Sequence, residues 1–452
     1  MRIRLDSIGC RLNISEMESL ARAFTATGHR VVGPGEDAEV YIFNTCTVTA
    51  NASRKSRHVL RQMRRANPSA KIVATGCYAE MSPNEIDHLG VDLVLGNADK
   101  DRLPEILADN GILHDGERSV SDDPTPTLGP DAERTRAFIK VQDGCDNRCT
   151  FCIVTLARGA GRSRSPESVV EEVIDLVKIG YREVVLSGVH LGSYGHDRGR
   201  PQGLEVLVKK ILAETDVPRV RLSSLEPWDL EPSFFDLFSD SRLLPHLHLP
   251  LQSGCDRTLD RMARRTNQGD FSRLMDAARS RIPDVSISTD IIVGFPGETE
   301  AEFEESIAFV RAMTFSRLHV FRYSQREGTL AATMPAQVQG PLASERSRQF
   351  HQLGASLEKN FNSSFEGRTL QVLWESSEDF GDGLRWSGLT PNYIRVVTQT
   401  GPTADLFNRI TSTKIIATMP VGVLGSIDGF SLPDLVQPTS NRLPVISPNL
   451  KP

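Results

Sequence analysis

Apolar and polar positions divide this chain into three stretches with different periods. Over residues 1–115, short apolar runs alternate with helical stretches, and three of the runs, IRLDSIGC, VYIFNTC and KIVATGC, end in a cysteine: Cys10, Cys46 and Cys77. This alternation predicts a small parallel α/β domain, in which the loops at the carboxyl ends of the strands share one edge, where ligands bind. The three cysteines can therefore meet in space, although each taken alone also suits a small buried hydrophobe. Residues 116–133, ERSVSDDPTPTLGPDAER, are polar, acidic and proline-rich, and read as a linker. Over 134–361 six apolar runs, FIKVQDGC, EVVLSGVHLG, RVRLSSLEP, HLHLPLQSG, VSISTDIIVGFPG and RLHVFRYS, alternate with helical segments such as PESVVEEVIDLVKIG. Six strand-helix units predict a partial (βα)6 barrel, whose working end is its carboxyl-terminal face. From 362 to 430 the period shortens to that of strands, RTLQVLWE, NYIRVVTQ, KIIATMP and VGVLGSI, predicting a small antiparallel β-barrel. The tail, 431–452, has five prolines and no period, and is expected to be disordered.

Composition changes this picture little. With 39% hydrophobic and 24% charged residues among 452, the chain has the material for sizeable cores, and its length suits roughly three domains. A net charge of −6 indicates no polyanion-binding tail, and no apolar run approaches the roughly 18 residues of a membrane span. The start, MRIRLDSIGC, lacks the apolar core of a signal peptide, so a cytoplasmic chain is expected. In that compartment, clustered cysteines bind metal or do catalysis more often than they form disulfides.

Three of the seven cysteines fall within DGCDNRCTFC, where Cys145, Cys149 and Cys152 follow the first predicted barrel strand with C-x3-C-x2-C spacing. Thiolates so spaced can point inward from one loop and suit an iron-sulfur cluster or zinc. Three ligands on a four-iron cubane leave one iron open, a sensible design for a catalytic cluster. Zinc would need a fourth ligand from farther away.

The same spacing, with Phe151 just before the last cysteine, resembles the radical S-adenosylmethionine signature. That resemblance implies a radical-SAM barrel whose open iron chelates S-adenosylmethionine and whose electron cleaves it to a 5'-deoxyadenosyl radical. It extends from residue 1 to about 430: a three-cysteine domain, a radical barrel and a terminal TRAM-like β-domain come in the order of the methylthiotransferases. Within them IGCRLN, NTCTVT, TGCYAE and GCDNRCTFCIVTLARGAGRSRSP resemble the branch acting on N6-threonylcarbamoyladenosine at tRNA position 37. The resemblance implies two [4Fe-4S] clusters, a catalytic one on Cys145, Cys149 and Cys152 and a sulfur-carrying one on Cys10, Cys46 and Cys77. It implies S-adenosylmethionine as cosubstrate, tRNA as substrate, an electron donor of flavodoxin or ferredoxin type and no membrane association. The rivals are the sister enzymes for isopentenyladenosine in tRNA and for a ribosomal-protein aspartate, and a non-catalytic zinc-dependent RNA-binding protein.

Strand-end positions on the presumed active face supply candidates for the cofactor pocket. These are Phe151, the turn Gly294, Phe295, Pro296 and Gly297, together with Ser187, Gly188, His190, Ser223 and Gln252. Cys255 has no partner at ligand spacing and is expected to be structural. Basic residues mark the expected RNA contacts. If SRKSRHVLRQMRR is helical, Arg54, Arg57, His58, Arg61, Arg64 and Arg65 fall at steps of three or four and make one face a basic stripe, and Arg158, Arg162 and Arg164 follow the second trio, with Arg261, Arg264 and Arg265 farther on. In the acidic terminal domain, Trp386, Tyr393 and Arg395 are the candidates for stacking on RNA bases.

Overall fold

The computed structural model describes residues 1–113 and 134–427; the whole predicted linker (116–133) and the whole predicted tail (431–452) lie outside the described residues. Each cysteine-terminated run is a strand. Strands β1 (Arg2–Ser7), β2 (Arg30–Val31), β3 (Val40–Thr45), β4 (Lys71–Gly76) and β5 (Leu93–Val94) form a parallel sheet in the order β2-β1-β3-β4-β5. All six residues of β3 are buried because both faces are covered. Val40 and Ile42 point to a cluster with Met17, Leu20 and Phe24 of helix α1 (Arg11–Ala26), while Tyr41 and Phe43 join Leu60 of α2 (Ala50–Ala66) on the other side. The period of two along a strand divides these residues between the faces.

In the second unit, β6 (Arg136–Lys140), β9 (Glu183–Ser187) and β10 (Arg219–Leu222) are parallel, as are β11 (His246–His248), β12 (Ser286–Val293) and β13 (Arg317–Arg322). Between β6 and β9 a short antiparallel pair, β7 (Gln142–Asp143) and β8 (Arg162–Ser163), frames the loop of the second cysteine trio. A bridge between Ser224 and His248 joins the two triplets, so the strands follow one another in sequence order around an arc. This is the expected partial (βα)6 barrel. Valines and leucines of the outer helices Pro166–Lys178 and Gly203–Glu214 pack with Val184, Leu186 and Val220 of the strands.

The terminal unit is a closed five-stranded barrel of β14 (Thr369–Phe380), β15 (Gly383–Leu389), β16 (Arg395–Thr400), β17 (Ile410–Thr418) and β18 (Val423–Ile427), in the order β14-β15-β16-β18-β17. Its pairs are antiparallel except β16 with β18. Two expected RNA contacts are corrected here. Trp386 is buried with Trp374 and Val396 in the core of this barrel. Tyr393 instead locks the units together: its ring stacks on His246 at 4.5 Å, and its hydroxyl meets Arg11 at 3.0 Å and Arg136 at 3.3 Å. Burial alone would raise its pKa, but Arg11, Arg136 and Arg221 bring it down to about 7. The buried Arg219 and Arg221 also donate to the backbone carbonyls of Leu389 and Pro391, so arginines of the larger barrel grip the smaller one.

The amino-terminal unit covers the open edge of the larger barrel. Ser15 of α1 accepts from the amide of Lys140 at 2.9 Å, and Ile14 packs with Phe138 and Val185. Beside these contacts lies a buried ionic cluster. Glu16 receives Arg158 at 2.9 Å, Lys100 at 2.6 Å and Lys140 at 3.3 Å; Arg158 also reaches Asp143 at 2.9 Å and the Asn13 side-chain carbonyl at 2.9 Å. Burial would raise the pKa of Glu16, yet Lys100, Arg158 and Lys140 hold it well below the ordinary carboxylate range.

Removing that carboxylate strands buried cations, so Glu16→Ala is expected to cost about 3–5 kcal/mol in denaturant unfolding. Because the folded pKa is depressed, the Glu16 contribution is complete above about pH 4.5 and is lost as pH falls through the folded value. Wild-type protein should therefore lose more stability on acidification below that point than Glu16→Ala; equal acid sensitivity would contradict this account.

Candidate functional site

Cys10, Cys46 and Cys77 stand just beyond the carboxyl ends of β1, β3 and β4. The register pairs Ser7 with Asn44 and Thr45 with Gly76, so the three strands finish level with one another. Cys10 caps α1, Cys46 exchanges hydrogen bonds with Ser56 of α2 at 3.1 and 2.9 Å, and Cys77 opens helix α3 (Cys77–Met81). Gly9, at φ +108°, lets the first loop cross close over the second: a Cβ there would stand 2.7 Å from Cys46 Cβ. Cys46 and Cys77 are buried, whereas the Cys10 residue keeps exposed surface. Burial pushes the Cys46 thiol up to about 12 and also raises Cys10, and Cys77 adds to both shifts, which places the three thiols within electrostatic reach of one another. A cation that replaces these protons is the natural counterpart of such a set.

The second trio is carried by the loop between β7 and the helix Val154–Arg158. Gly144, at φ +71°, brings the chain so close to Ala160 that any Cβ would overlap its carbonyl. The Cys145 amide donates to Gly159 O at 3.0 Å, and Thr150 ties the loop to Met262 and Arg261. Around the sulfurs stand groups that sequence reasoning missed. Arg264 donates to Cys149 Sγ at 3.6 Å and pairs with Glu226 at 2.6 Å. Trp228 lies under Arg264, and its buried Nε1 has no hydrogen-bond partner among the described residues. His190, expected in the cofactor pocket, lies against Asp229 and Asn147; burial opposes its charge, but Asp229 and Cys145 raise its pKa to about 10. Asp229 and Trp228 occur in the word EPWD just past β10, a strand-end polar and aromatic cluster that could have marked them.

The two trios face a common boundary. Asn97 donates to Cys77 Sγ at 3.8 Å and to the Ala157 carbonyl, in the helix just after the second trio, at 2.6 Å. Asn13 Oδ1 accepts from both Cys10 Sγ, at 3.7 Å, and Arg158. Among the described residues no three His, Cys, Asp or Glu side chains close on a point as ligands of a single ion. The donor chemistry, three sulfurs per loop set with no neighbouring fourth ligand in sequence, fits iron-sulfur clusters better than structural zinc.

Other expected pocket residues divide. Ser223 is buried with a hydroxyl unpartnered among the described residues, and Gln252, at φ +75°, turns the chain beyond β11; both remain at the strand ends. Gly188 stands close to Gln142, where a Cβ would come within 3.0 Å of the amide oxygen. The Ser187 hydroxyl is already given to the Val185 carbonyl. Phe295 is fully buried and packs with Met262 and Ala331, with half-buried Phe151 edge-on, so it supports the pocket from beneath rather than lining it. Around it, Gly294 donates to Glu298, Pro296 is buried and Gly297 donates to Ala336. Cys255 is buried and donates to Glu305, in keeping with a structural role.

The expected RNA contacts are also corrected in part. Arg158 is 4% exposed and its guanidinium is consumed by Glu16, Asp143 and Asn13, so it joins domains and cannot reach phosphate. Arg64 is bound to the carbonyls of Gly90, Pro68 and Ala70 and to Asp92. Arg164 pairs with Glu172 at 2.5 Å, and Arg57 with Tyr78 and Glu85. Arg264 is buried beside Cys149, and Arg261 pairs with Glu302. Arg54, Arg61 and Arg162 stay exposed. On α2 the exposed positions Arg54, His58, Arg61 and Arg65 recur at helical steps, which makes a narrower basic stripe than expected.

The fold and the two trios define a radical S-adenosylmethionine enzyme. Residues 139–310 match the Radical SAM superfamily, and residues 2–96 match a family described as uncharacterized protein family UPF0004. The threonylcarbamoyladenosine tRNA methylthiotransferase MtaB of Bacillus subtilis is 36% identical over 92% of this chain and 93% of its own length; its Thermotoga maritima namesake is 39% identical over 82% and 86%. The tRNA-2-methylthio-N(6)-dimethylallyladenosine synthase of Novosphingobium aromaticivorans is 36% identical over 82% and 86%. This chain belongs to the radical S-adenosylmethionine methylthiotransferase family, whose chemistry requires S-adenosylmethionine and a [4Fe-4S] cluster. Among solved structures, the radical S-adenosylmethionine methyltransferase TsrM from Kitasatospora setae shares the fold at TM-score 0.54 and 15% identity, over 73% of this chain and 77% of that one.

If the loop 145–152 holds the [4Fe-4S] cluster of the family, loss of one thiolate leaves that cluster incompletely held. Cys145→Ala, Cys149→Ala and Cys152→Ala are each expected to abolish 5'-deoxyadenosine formation, measured by chromatography under strong reductant; wild-type rates in any one would remove that loop from the radical site.

Proposed function

We propose that this protein adds a methylthio group to carbon 2 of N6-threonylcarbamoyladenosine at position 37 of tRNA. In this reading Cys145, Cys149 and Cys152 hold the [4Fe-4S] cluster that works with S-adenosylmethionine, while Cys10, Cys46 and Cys77 hold a second [4Fe-4S] cluster that delivers sulfur. The observation that carries it is the meeting of two three-cysteine sets at one domain boundary, joined through Asn97 and Asn13. Relatives named for the threonylcarbamoyl substrate and for the dimethylallyl substrate differ by only a few per cent in identity. The choice between them rests on the words around Cys46 and after Cys152.

When bound, the cluster and S-adenosylmethionine supply reductive bond cleavage able to activate an inert aromatic C–H bond. The residues of the chain hold, shield and tune that chemistry. Arg264 places positive charge beside the Cys149 sulfur, which would favour a more reduced cluster, and His190 lies against Asp229 and Asn147 beside the same loop. Phe151, Phe295, Met262 and Ala331 form an apolar wall beside the loop that limits access of water. Arg54, Arg61, Arg65 and Arg162 are exposed cations available to meet the tRNA backbone. A flavodoxin- or ferredoxin-type donor and a cytoplasmic setting complete the proposal. Among the described residues no helix is long and apolar enough to cross a membrane.

Nucleoside mass spectrometry of tRNA from a deletion strain tests the substrate. The 2-methylthio derivative of threonylcarbamoyladenosine should vanish while its precursor accumulates; loss of the 2-methylthio dimethylallyl nucleoside instead would assign the chain to the sister branch. For the basic stripe, Arg54→Glu with Arg61→Glu should weaken tRNA binding and lower the slope of log affinity against log salt by roughly 0.7 to 0.9 for each phosphate that is no longer neutralised. An unchanged slope would make the stripe a solvated helix face.

A further inference from the structure

At the boundary between the trios stands an arginine, Arg326, that has no acidic partner among the described residues. It lies in the loop beyond β13, at the carboxyl-terminal face of the barrel, and reaches across to the amino-terminal unit. Its Nη2 donates to Thr47 Oγ1 at 2.6 Å and Ser53 Oγ at 3.1 Å; Thr47 directly follows Cys46. In the same loop, Gly328 faces Leu156, where a Cβ would stand 3.0 Å from Leu156 Cδ1, and the Ala331 amide donates to Thr150 O at 2.9 Å, inside the second trio. The segment 326–331 thus contacts the surroundings of both cysteine sets, with the guanidinium on the Cys46 side.

The electrostatics of this arginine differ from those of its neighbours. Arg57 is paired with Glu85, Arg158 with Glu16 and Asp143, and Arg264 with Glu226. Arg326 has two hydroxyls as its hydrogen-bond partners among the described residues and its Nε is buried without an acceptor there; burial and the nearby Arg57 lower its pKa from the ordinary arginine value, against Cys46 and Tyr78, which raise it. A partly desolvated guanidinium fixed on one edge by hydroxyls, with no carboxylate paired to it among the described residues, presents its remaining donors to a planar anion. Exposed apolar side chains stand on the segments that meet here: Val48 beside Thr47, Leu156 on the helix Val154–Arg158 facing Gly328, and Leu330 just beyond, 45%, 52% and 67% exposed. An apolar rim around a fixed cation suits a flat heterocycle that carries a carboxylate.

We infer that Arg326 binds the carboxylate of the amino-acid group on the N6 substituent of the target adenine, and so selects carboxylate-bearing bases over those with all-carbon substituents. The inference rests on the tRNA substrate reading given above and adds the residue that would enforce it. An all-carbon substituent leaves this cation desolvated and unpaired, so the same residue that attracts one substrate class repels the other.

The test uses the reconstituted holoenzyme and three anticodon stem-loop RNAs that carry, at position 37, threonylcarbamoyladenosine, its neutral methyl ester, or unmodified adenosine. Wild type should bind the acid about 10- to 100-fold more tightly than the ester, the range expected of charge-assisted hydrogen bonds. Arg326→Gln should bind acid and ester alike, at the affinity wild type shows for the ester, and Arg326→Lys should recover part of the preference. Retained iron content and ester affinity show that the variant is folded. A wild-type acid preference that survives in Arg326→Gln would overturn the inference while leaving the substrate reading intact. If wild type itself does not distinguish the acid from unmodified RNA, the substrate reading fails and the inference with it.

Discussion

The architecture depends on matching charges that have been taken out of water between two domains. Glu16, on the first helix, is buried together with Arg158 and Lys100, and Arg158 is shared with Asp143 at the mouth of the cysteine loop. Buried charges tolerate little displacement, because an unpaired one costs several kcal/mol. The helix capped by Cys10 and the helix that follows Cys152 are therefore fixed relative to each other to within hydrogen-bond tolerance. Asn13 and Asn97 carry the same constraint to the thiols themselves.

That constraint accounts for the division of labour among the arginines. Those that bridge units are bonded across the joint: buried Arg158 between the first two, half-buried Arg136 and buried Arg219 and Arg221 between the large and small barrels. Arg264 is spent on a cysteine sulfur and Glu226. Arg326 stands at the same boundary held by hydroxyls instead of an acid, and the exposed cations of α2 lie outside it. A protein of net negative charge can in this way offer a polyanion a local basic surface.

Much of this was legible in the sequence. The cysteine-terminated runs are strands of one sheet, and the six runs of the middle stretch are the six principal barrel strands, legible because each carries apolar residues toward a core even where, as in RVRL and HLH, charged or polar residues alternate with them. Two elements escape such a reading. Strand β15, GLRWSGL, is diluted by glycine and serine, and the helix Gly340–Ser363 buries Ala343, Arg346, Phe350, Gly354 and Leu357, a helical spacing only partly filled by hydrophobes. The misread site residues share one cause. Sequence gives the charge of Arg158, Arg64 and Arg264 but not the carboxylates, carbonyls and sulfur that tertiary folding brings to them from distant positions. Trp386 and Tyr393 failed as RNA contacts because aromatic residues fill cores and junctions as readily as they stack on bases.

The central claim is that radical generation and sulfur delivery reside on separate metal sites held by separate cysteine sets. The direct measurement is made on one anaerobic preparation of a variant with Cys10, Cys46 and Cys77 all replaced by alanine, scoring iron, 5'-deoxyadenosine and modified nucleoside together. The account predicts about half the wild-type iron, continued cleavage of S-adenosylmethionine under strong reductant and no methylthio group on tRNA. Full iron content, or continued formation of the methylthio nucleoside, would contradict it.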